Sequence, residues 1–254
     1  KETNYLPDLD KISRKILQQT SLFFICSPTN PQGGIATKEW WRKILLLAEE
    51  YNFIVLADEC YSEIYYDKVP PGALEIANEI KMDYNRIVIF NSLSKRSNLP
   101  GLRSGFLVSG ERNIAKIKKL KSYSGAPNPI PLQNVAVEAW KDEEHVKKNR
   151  LIYSSKLSKV KEIFKKIKNF SPPDAGFFIC LNVKNDEHIT KELWKNFGVK
   201  VLPGSYLSGK NYYLKNNEPT FEKFIRIALV AKEEDVILGA KKIVDCINSQ
   251  QFKG

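Results

Sequence analysis

The feature that most constrains this chain is a series of short apolar runs that alternate with segments of helical periodicity in its first half. The four candidate strands cover residues 22–26, 53–57, 86–90 and 105–108; the first two are apolar throughout, and the third begins with Arg86. Continuous apolar runs of this length are typical of strands buried on both faces of a sheet. Because helical segments lie between them, the pattern predicts a mostly parallel sheet with right-handed crossovers.

The helical segments and the second half of the chain predict a second, smaller domain. In the first half, helices are expected over residues 37–51, with Thr37 as the cap, and over residues 72–82. Further on, the pattern predicts helices over residues 111–123, 132–140, 143–167, 186–197 and 233–248, and strands over residues 177–183, 199–202 and 224–229. We therefore expect an α/β domain over residues 1–142 and an α+β domain over residues 143–254.

Polar residues follow three successive strands of the predicted sheet. They cover residues 27–34, 58–61 and 91–95. Ligands of open α/β sheets bind at the carboxyl ends of the strands, and parallel strands bring those ends to one edge. The sequence therefore predicts a single site built from all three segments.

The side chains at this edge suit a cofactor that carries both an aldehyde and a phosphate. Lys95 lies in a loop with the hydroxyls of Ser92 and Ser94, and a desolvated lysine forms a Schiff base with a carbonyl. Ser92 and Arg103 suit a phosphate, because arginine donates two hydrogen bonds to phosphate oxygens. Asp58 ends an apolar strand and needs a cationic partner, such as a pyridinium nitrogen.

Asn30 and Tyr61 complete this set of residues with donors for a phenolic oxygen. Taken together, the residues predict that the cofactor is pyridoxal phosphate. Each residue also has an ordinary interpretation when taken alone. Lys95 could be a surface lysine, Asp58 a helix cap, and Asn30 part of a turn. The order of the residues and their shared edge favour the site.

Four segments that carry these residues resemble the class I/II aminotransferases of fold type I. They are residues 27–34 (SPTNPQGG), 57–61 (ADECY), 92–95 (SLSK) and 100–105 (PGLRSG). The resemblance implies that Lys95 holds pyridoxal 5′-phosphate covalently and moves the proton during transfer. It also implies that the remaining cofactor contacts come from Asn30, Asp58, Tyr61, Ser92, Ser94 and Arg103, and that the substrate carboxylate is held by Arg226.

Within this family, the amino-acid sequences of several segments are similar to those of the N-succinyldiaminopimelate aminotransferases of lysine biosynthesis. These segments are residues 57–65, 92–106, 173–177, 201–207 and 225–231. The resemblance implies transfer between N-succinyl-LL-2,6-diaminopimelate and 2-oxoglutarate. Other amino donors (aspartate or an aromatic amino acid), a β-lyase reaction, and a ligand-sensing domain of a transcription regulator stay open as alternatives.

The family places a phosphate-binding loop and a ring-stacking aromatic residue well before the segment at residues 27–34. The 26 residues that precede Ser27 contain neither. We therefore expect this chain to be part of a longer protein with an incomplete first domain, and to transaminate poorly alone. The resemblance also implies a homodimer for the complete protein.

Composition argues against a nucleic-acid-binding protein, a membrane or secreted protein, and a metalloprotein. The net charge is +11, but the lysines are spread over predicted helix faces and no nucleic-acid-binding motif accompanies them. No apolar run reaches membrane-spanning length, and no signal peptide is recognisable, so the cytoplasm is expected. Four separated cysteines and two histidines predict no metal site, and we expect the thiols only to pack.

Overall fold

The structure is a computed structural model that describes residues 3–125, 127–168, 170–207 and 223–251. The chain packs as two compact units. The first comprises Lys1–Arg150 and Asp174–Gly176, and the second comprises Leu151–Pro173 and Phe177–Gly254. The domain boundary near residue 142 stays a prediction.

The first unit contains a four-stranded sheet in the order β1-β2-β3-β4. Its strands are β1 (Leu22–Cys26), β2 (Ile54–Asp58), β3 (Ile87–Ser92) and β4 (Gly105–Ser109). Its helices are α1 (Arg14–Gln19), α2 (Lys38–Tyr51), α3 (Ala73–Glu79), α4 (Leu93–Arg96), α5 (Glu111–Tyr123), α6 (Ile130–Lys141) and the start of α7 (Glu144–Phe164). Short 3-10 turns occur at Leu9–Lys11, Tyr84–Arg86 and Pro100–Leu102. The four predicted strands are confirmed.

The direction of β4 differs from the prediction. Strands β1, β2 and β3 are parallel, whereas β4 runs antiparallel to β3. The connection between them is short, and it closes with a hydrogen bond from Leu93 N–H to the Ser104 carbonyl at 3.1 Å, so the chain turns back instead of crossing the sheet. A Cβ atom at Gly105 would lie 2.7 Å from the Asn91 carbonyl oxygen, so this close return requires glycine.

One face of the sheet packs against α2 and α3 to form the core of the first unit. Thr37 caps α2 as predicted, accepting the Trp40 N–H at 3.1 Å. The core residues on the strands and these helices are Trp41, Ile44, Leu45, Val55, Ala57, Ile76, Ile87 and Ile89. Each large aliphatic or aromatic side chain buried there contributes about 1.5–3 kcal/mol to folding.

The opposite face of β1 is open, which contradicts the prediction that this strand is buried on both faces. Phe24 is 73% exposed and Leu22 is 49% exposed. Within the described residues, β1 is an edge strand that pairs with β2 alone. An apolar run indicates a strand, but it does not reveal whether a neighbour covers the strand's outer face.

The second unit contains an antiparallel sheet in the order β5-β7-β6. Its elements are β5 (Phe178–Asn182), α8 (Asp186–Phe197), β6 (Leu202–Pro203), β7 (Phe224–Ala228), α9 (Glu233–Gln251) and a 3-10 turn at Gly204–Leu207. Only β6 departs clearly from the predicted range, since it begins at Leu202 instead of residue 199. The Val199 N–H is used at the end of α8, where it donates to the Leu193 carbonyl at 2.9 Å. None of the helices in the described residues is long and apolar enough to span a bilayer.

Candidate active site

The carboxyl ends of β1, β2 and β3 lie side by side at one edge of the first unit's sheet. The register places Cys26 beside Asp58, and Asp58 beside Phe90. Beyond the ladders, Ser27 N–H donates to the Asp58 carbonyl at 3.0 Å and Glu59 N–H donates to the Phe90 carbonyl at 2.9 Å. The three polar segments therefore start from one rim, which is the convergence that the strand pattern predicts.

Asn30 and Tyr61 contact each other across this rim. The segment that carries Asn30 is folded tightly, because Gly34 N–H donates to Thr29 Oγ1 at 2.8 Å and Gly33 N–H donates to the Thr29 carbonyl at 2.8 Å. The Asn30 amide donates to the Tyr61 hydroxyl at 3.3 Å. Two donors predicted to serve the same ligand oxygen are thus held within reach of each other.

Asp58 is the last residue of β2 and is half-buried. Its Oδ1 accepts the Cys60 N–H at 3.0 Å, a local bond that fixes the carboxylate at the strand end. The register puts Asp58 opposite Phe90, and Ser92 lies two residues further along β3. Because side chains alternate along a strand, Asp58 and Ser92 share one face of the sheet.

Cys60 lies among the predicted cofactor residues. Its thiol is 3.5 Å from Ser92 Oγ. Burial raises the pKa of Cys60 to about 11, the Ser92 hydrogen bond and the charge of Lys95 oppose that rise, and Asp58 adds to it. Ser92 therefore contacts the Cys60 thiol directly, and the charges of Asp58 and Lys95 act on the same thiol.

Cys26 lies next to the same carboxylate. Burial, together with a smaller contribution from the negative charge of Asp58, raises the pKa of its thiol to about 12. The sequence predicted only a packing role for Cys26 and Cys60. Their positions at the ends of β1 and β2 were the signal that could have placed them at the site.

Lys95 lies on α4, a one-turn α-helix that directly follows β3. Ser92 directly precedes this turn and Ser94 lies within it. Leu93 is fully buried, and its carbonyl accepts the N–H groups of Ser97 at 3.1 Å and of Leu99 at 3.2 Å. This buried residue anchors the turn from which the half-buried Lys95 projects.

Arg103 lies at the far end of the same loop. Its backbone is left-handed, with φ of 55°, and its carbonyl accepts the Asn128 side-chain amide at 2.9 Å. Its exposed guanidinium donates to the Pro100 carbonyl at 2.9 Å. Gly105 pairs with Ser92, and Arg103 lies two residues before Gly105. The backbone of Arg103 is therefore close to Ser92, whose hydroxyl is predicted to bind the phosphate.

The sequence analysis did not identify three residues that lie beside Lys95 or contact its loop, namely Arg96, Ser97 and His145. Arg96 and Ser97 follow Lys95 and are only 5% and 6% exposed. Arg96 donates to the Ala139 carbonyl, and Ser97 is bonded to His145. These partners lie 43 and 48 residues further along the chain, so the position of Arg96 next to Lys95 was the only signal.

Arg226 belongs to the second unit. It lies at the middle of β7, where its neighbours on the adjacent strands are Cys180 and Leu202. Its guanidinium carbon is 4.4 Å from the centroid of the Phe178 ring, a cation–π distance. The cation is therefore half-buried on a sheet, with an aromatic ring against it.

The residues at the rim of the first unit fit pyridoxal phosphate in chemical type. They supply an amine, a carboxylate, a bonded amide and phenol, two serine hydroxyls and a guanidinium. For the part of the chain that the structure describes, no cluster of three or more His, Cys, Asp and Glu side chains could hold a metal ion.

The chain belongs to the class I and II aminotransferases, since the model of the family "Aminotransferase class I and II" matches residues 1–242. A solved structure of an aminotransferase from Neisseria meningitidis Z2491 is 36% identical, with a TM-score of 0.87 over 96% of this chain and 62% of that one. The mostly parallel sheet with its antiparallel β4 is thus that of the fold type I enzymes, a family that uses pyridoxal phosphate.

Two curated relatives carry more specific names. An LL-diaminopimelate aminotransferase of Maridesulfovibrio salexigens is 32% identical over 228 residues, which is 84% of this chain and 56% of that protein. An aspartate aminotransferase of Pyrococcus horikoshii is 25% identical over 259 residues, which is 98% of this chain and 62% of that protein. The chain spans 56–62% of the length of these relatives.

Proposed function

We propose that the complete protein is a pyridoxal-phosphate-dependent aminotransferase and that its cofactor binds at the rim formed by β1, β2 and β3. The observation that carries this proposal is the meeting of the three strand ends at one edge of the sheet, where Asn30 contacts Tyr61 and Ser92 contacts Cys60. Membership of the aminotransferase family supports the reaction class. When bound, the cofactor supplies an aldehyde that condenses with an amine and a ring that accepts the electron pair left by a broken Cα–H bond.

In this proposal Lys95 and Asp58 do the central work. Lys95 Nζ would hold the cofactor through its aldehyde and would serve as the base that moves the proton at the substrate Cα. The Asp58 carboxylate would keep the cofactor's ring nitrogen protonated, because a half-buried anion stabilises a cation beside it. The fixed position of Asp58 Oδ1 on the Cys60 N–H supports this role.

The remaining rim residues orient the ring and hold its phosphate. Asn30 and Tyr61 direct hydrogen-bonding groups at the phenolic oxygen, a role that their mutual contact at 3.3 Å supports. Ser92, Ser94 and Arg103 bind the phosphate from the two ends of one loop. Arg226, in the second unit, binds the substrate α-carboxylate through its guanidinium fork.

Covalent labelling tests the site. The protein is loaded with pyridoxal phosphate, reduced with borohydride and digested, and the modified lysine is identified by mass spectrometry. We expect the label on Lys95, none in the Lys95→Ala variant, and an unchanged label in Lys141→Ala, since Lys141 lies on α6 and pairs with Glu138. A label on any other lysine of the wild type contradicts the assignment.

The proposed substrate is N-succinyl-2-amino-6-oxopimelate, which receives nitrogen from glutamate to give N-succinyl-LL-2,6-diaminopimelate. The sequence of residues 57–65 and 92–106 supports this substrate, because it resembles the N-succinyldiaminopimelate aminotransferases. The name of the relative from M. salexigens supports the diaminopimelate skeleton, although not the succinyl group. The aspartate-specific name of the relative from P. horikoshii marks the main alternative.

A comparison of kcat/KM for four amino donors tests the substrate. The donors are N-succinyl-diaminopimelate, LL-diaminopimelate, aspartate and phenylalanine, each with 2-oxoglutarate. We expect the succinylated donor to be preferred and glutamate to form. Preference for another donor contradicts the substrate proposal alone, whereas release of pyruvate and ammonia indicates a lyase.

We also propose that the complete protein is a homodimer in the cytoplasm. The support is the resemblance of the chain to its family, and light scattering of the purified complete protein tests the dimer.

A further inference from the structure

Two polar cross-links join the turn that carries Lys95 to the corner between α6 and α7. We propose that Arg96 and His145 are positioning residues for Lys95, fixing the backbone from which its amine reaches the cofactor. The inference rests on the proposed function, because it concerns the same lysine. It assigns a reaction-related role to residues that do not themselves line the rim.

The first cross-link is the buried guanidinium of Arg96. It donates to the Ala139 carbonyl at 2.9 Å and pairs with the Glu143 carboxylate. Its carbon also lies 5.2 Å from the Trp140 ring centroid. A charge that is 5% exposed is tolerated only with such partners, so its position is tightly defined.

The second cross-link is a chain of hydrogen bonds through Ser97. His145 Nδ1 lies 2.9 Å from Asp142 Oδ2, and its Nε2 lies 2.8 Å from Ser97 Oγ. A carboxylate only accepts, so Nδ1 carries a proton, and in the neutral ring Nε2 then accepts the Ser97 O–H. Ser97 Oγ in turn accepts from Arg96 at 3.4 Å, which joins the two cross-links into one network.

The order of Asp142, His145 and Ser97 is that of a hydrolytic triad, but the burial argues for a structural link instead. Ser97 is only 6% exposed, so an external substrate has little access to its hydroxyl. What the hydroxyl does contact is the backbone turn next to Lys95. The His145 hydrogen bond also lowers the pKa of Asp142, which keeps the accepting carboxylate charged.

The network matters for the reaction because Lys95 is adjacent in sequence to its anchor. Consecutive Cα atoms are about 3.8 Å apart, so fixing Arg96 and Ser97 fixes the base of the Lys95 side chain. Proton transfer depends on the placement of the amine, and an error of about 1 Å costs on the order of a hundred-fold in rate. A residue that only stabilised the fold would have no such effect.

The test uses the complete protein loaded with pyridoxal phosphate. The variants are His145→Leu, which removes the acceptor, and His145→Gln, whose side-chain oxygen accepts from Ser97 in its place. His188→Leu is the matched control, since His188 is exposed and is the only other histidine in the sequence. Arg96→Met tests the first cross-link.

For His145→Leu and Arg96→Met we expect kcat to fall on the order of ten- to a hundred-fold with little change in KM. We also expect the midpoint of the pH titration of the cofactor absorption to move by about half a pH unit or more, because the amine is misplaced. His145→Gln restores most of both quantities, and His188→Leu changes neither.

A lower Tm for His145→Leu with unchanged kcat and titration midpoint overturns the inference. In that case borohydride labelling of Lys95 in the wild type shows that the proposed function still stands. A wild-type label on a different lysine overturns both. If Arg96→Met does not fold, the His145 variants decide the question alone.

Discussion

Replacing Arg150 with Met is expected to destabilise the first unit by about 2–3 kcal/mol, and the contacts of this residue allow the figure to be built up. Its side chain donates to the Glu63 carbonyl at 3.0 Å and to the Glu63 carboxylate at 2.8 Å. Its guanidinium carbon lies 4.1 Å from the centroid of the Tyr65 ring. All three contacts hold the segment that follows Tyr61.

The side chains of Arg150 and Glu63 are 23% and 35% exposed, so the ion pair is partly shielded and contributes about 1 kcal/mol. The bond to the backbone carbonyl adds about 1 kcal/mol, and the ring contact adds about 0.5–1 kcal/mol. A loss of about 2 kcal/mol lowers the folding equilibrium constant roughly thirty-fold.

Urea unfolding of the chain, followed by tryptophan fluorescence, measures this loss. Arg112→Met is the matched control, since Arg112 pairs with Asp83 at 2.9 Å but is 72% exposed, and it should cost no more than about 0.5 kcal/mol. A double-mutant cycle with Glu63→Gln should give a coupling energy of about 1 kcal/mol. Equal losses for Arg150→Met and Arg112→Met would refute the reasoning.

Three further outcomes are expected. The Asp58→Asn variant should still bind pyridoxal phosphate, but the activation free energy of turnover should rise by an amount on the order of several kcal/mol. A near-normal kcat would show that another group pairs with the ring nitrogen. Glu59→Ala should cost about 1–3 kcal/mol in urea unfolding, because Glu59 accepts the Ala73 N–H at 2.7 Å at the start of α3, and Glu59→Gln should cost less. For Cys26, burial raises the pKa above the ordinary value of 9.0 to about 12, so its contribution to stability is complete below pH 9 and is lost as the pH rises to about 12. Cys26→Ala should therefore flatten the fall of the unfolding free energy over that range, and an unchanged slope would contradict the assignment.

Sequence patterns predicted the positions of the helices and strands better than they predicted what lies beside each strand and in which direction it runs. All four strands of the first sheet and the cap at Thr37 could be predicted, because apolar runs and capping residues are local signals. The reversal of β4 was missed, since it depends on how a short loop folds back at Ser104. The open face of Phe24 was missed because burial depends on what lies beside a strand.

The rim was predictable for the same reason that the strands were. Parallel strands must bring their carboxyl ends together, so the meeting of Asn30 with Tyr61 follows from order alone. The contacts of Arg96 with the α6–α7 corner carry no local pattern and needed the structure. The family likeness was carried by the same short motifs, and the chain does belong to that family.

The antiparallel return of β4 also has a consequence for the order in which the site forms during folding. Ser92 pairs with Gly105, so Lys95 and Arg103 lie inside a loop closed by contacts near in sequence. Asp58 meets Cys26 and Phe90 only after helical crossovers have closed much longer loops. Short loops cost less entropy to close, so we expect the lysine and phosphate side of the rim to assemble before the carboxylate side.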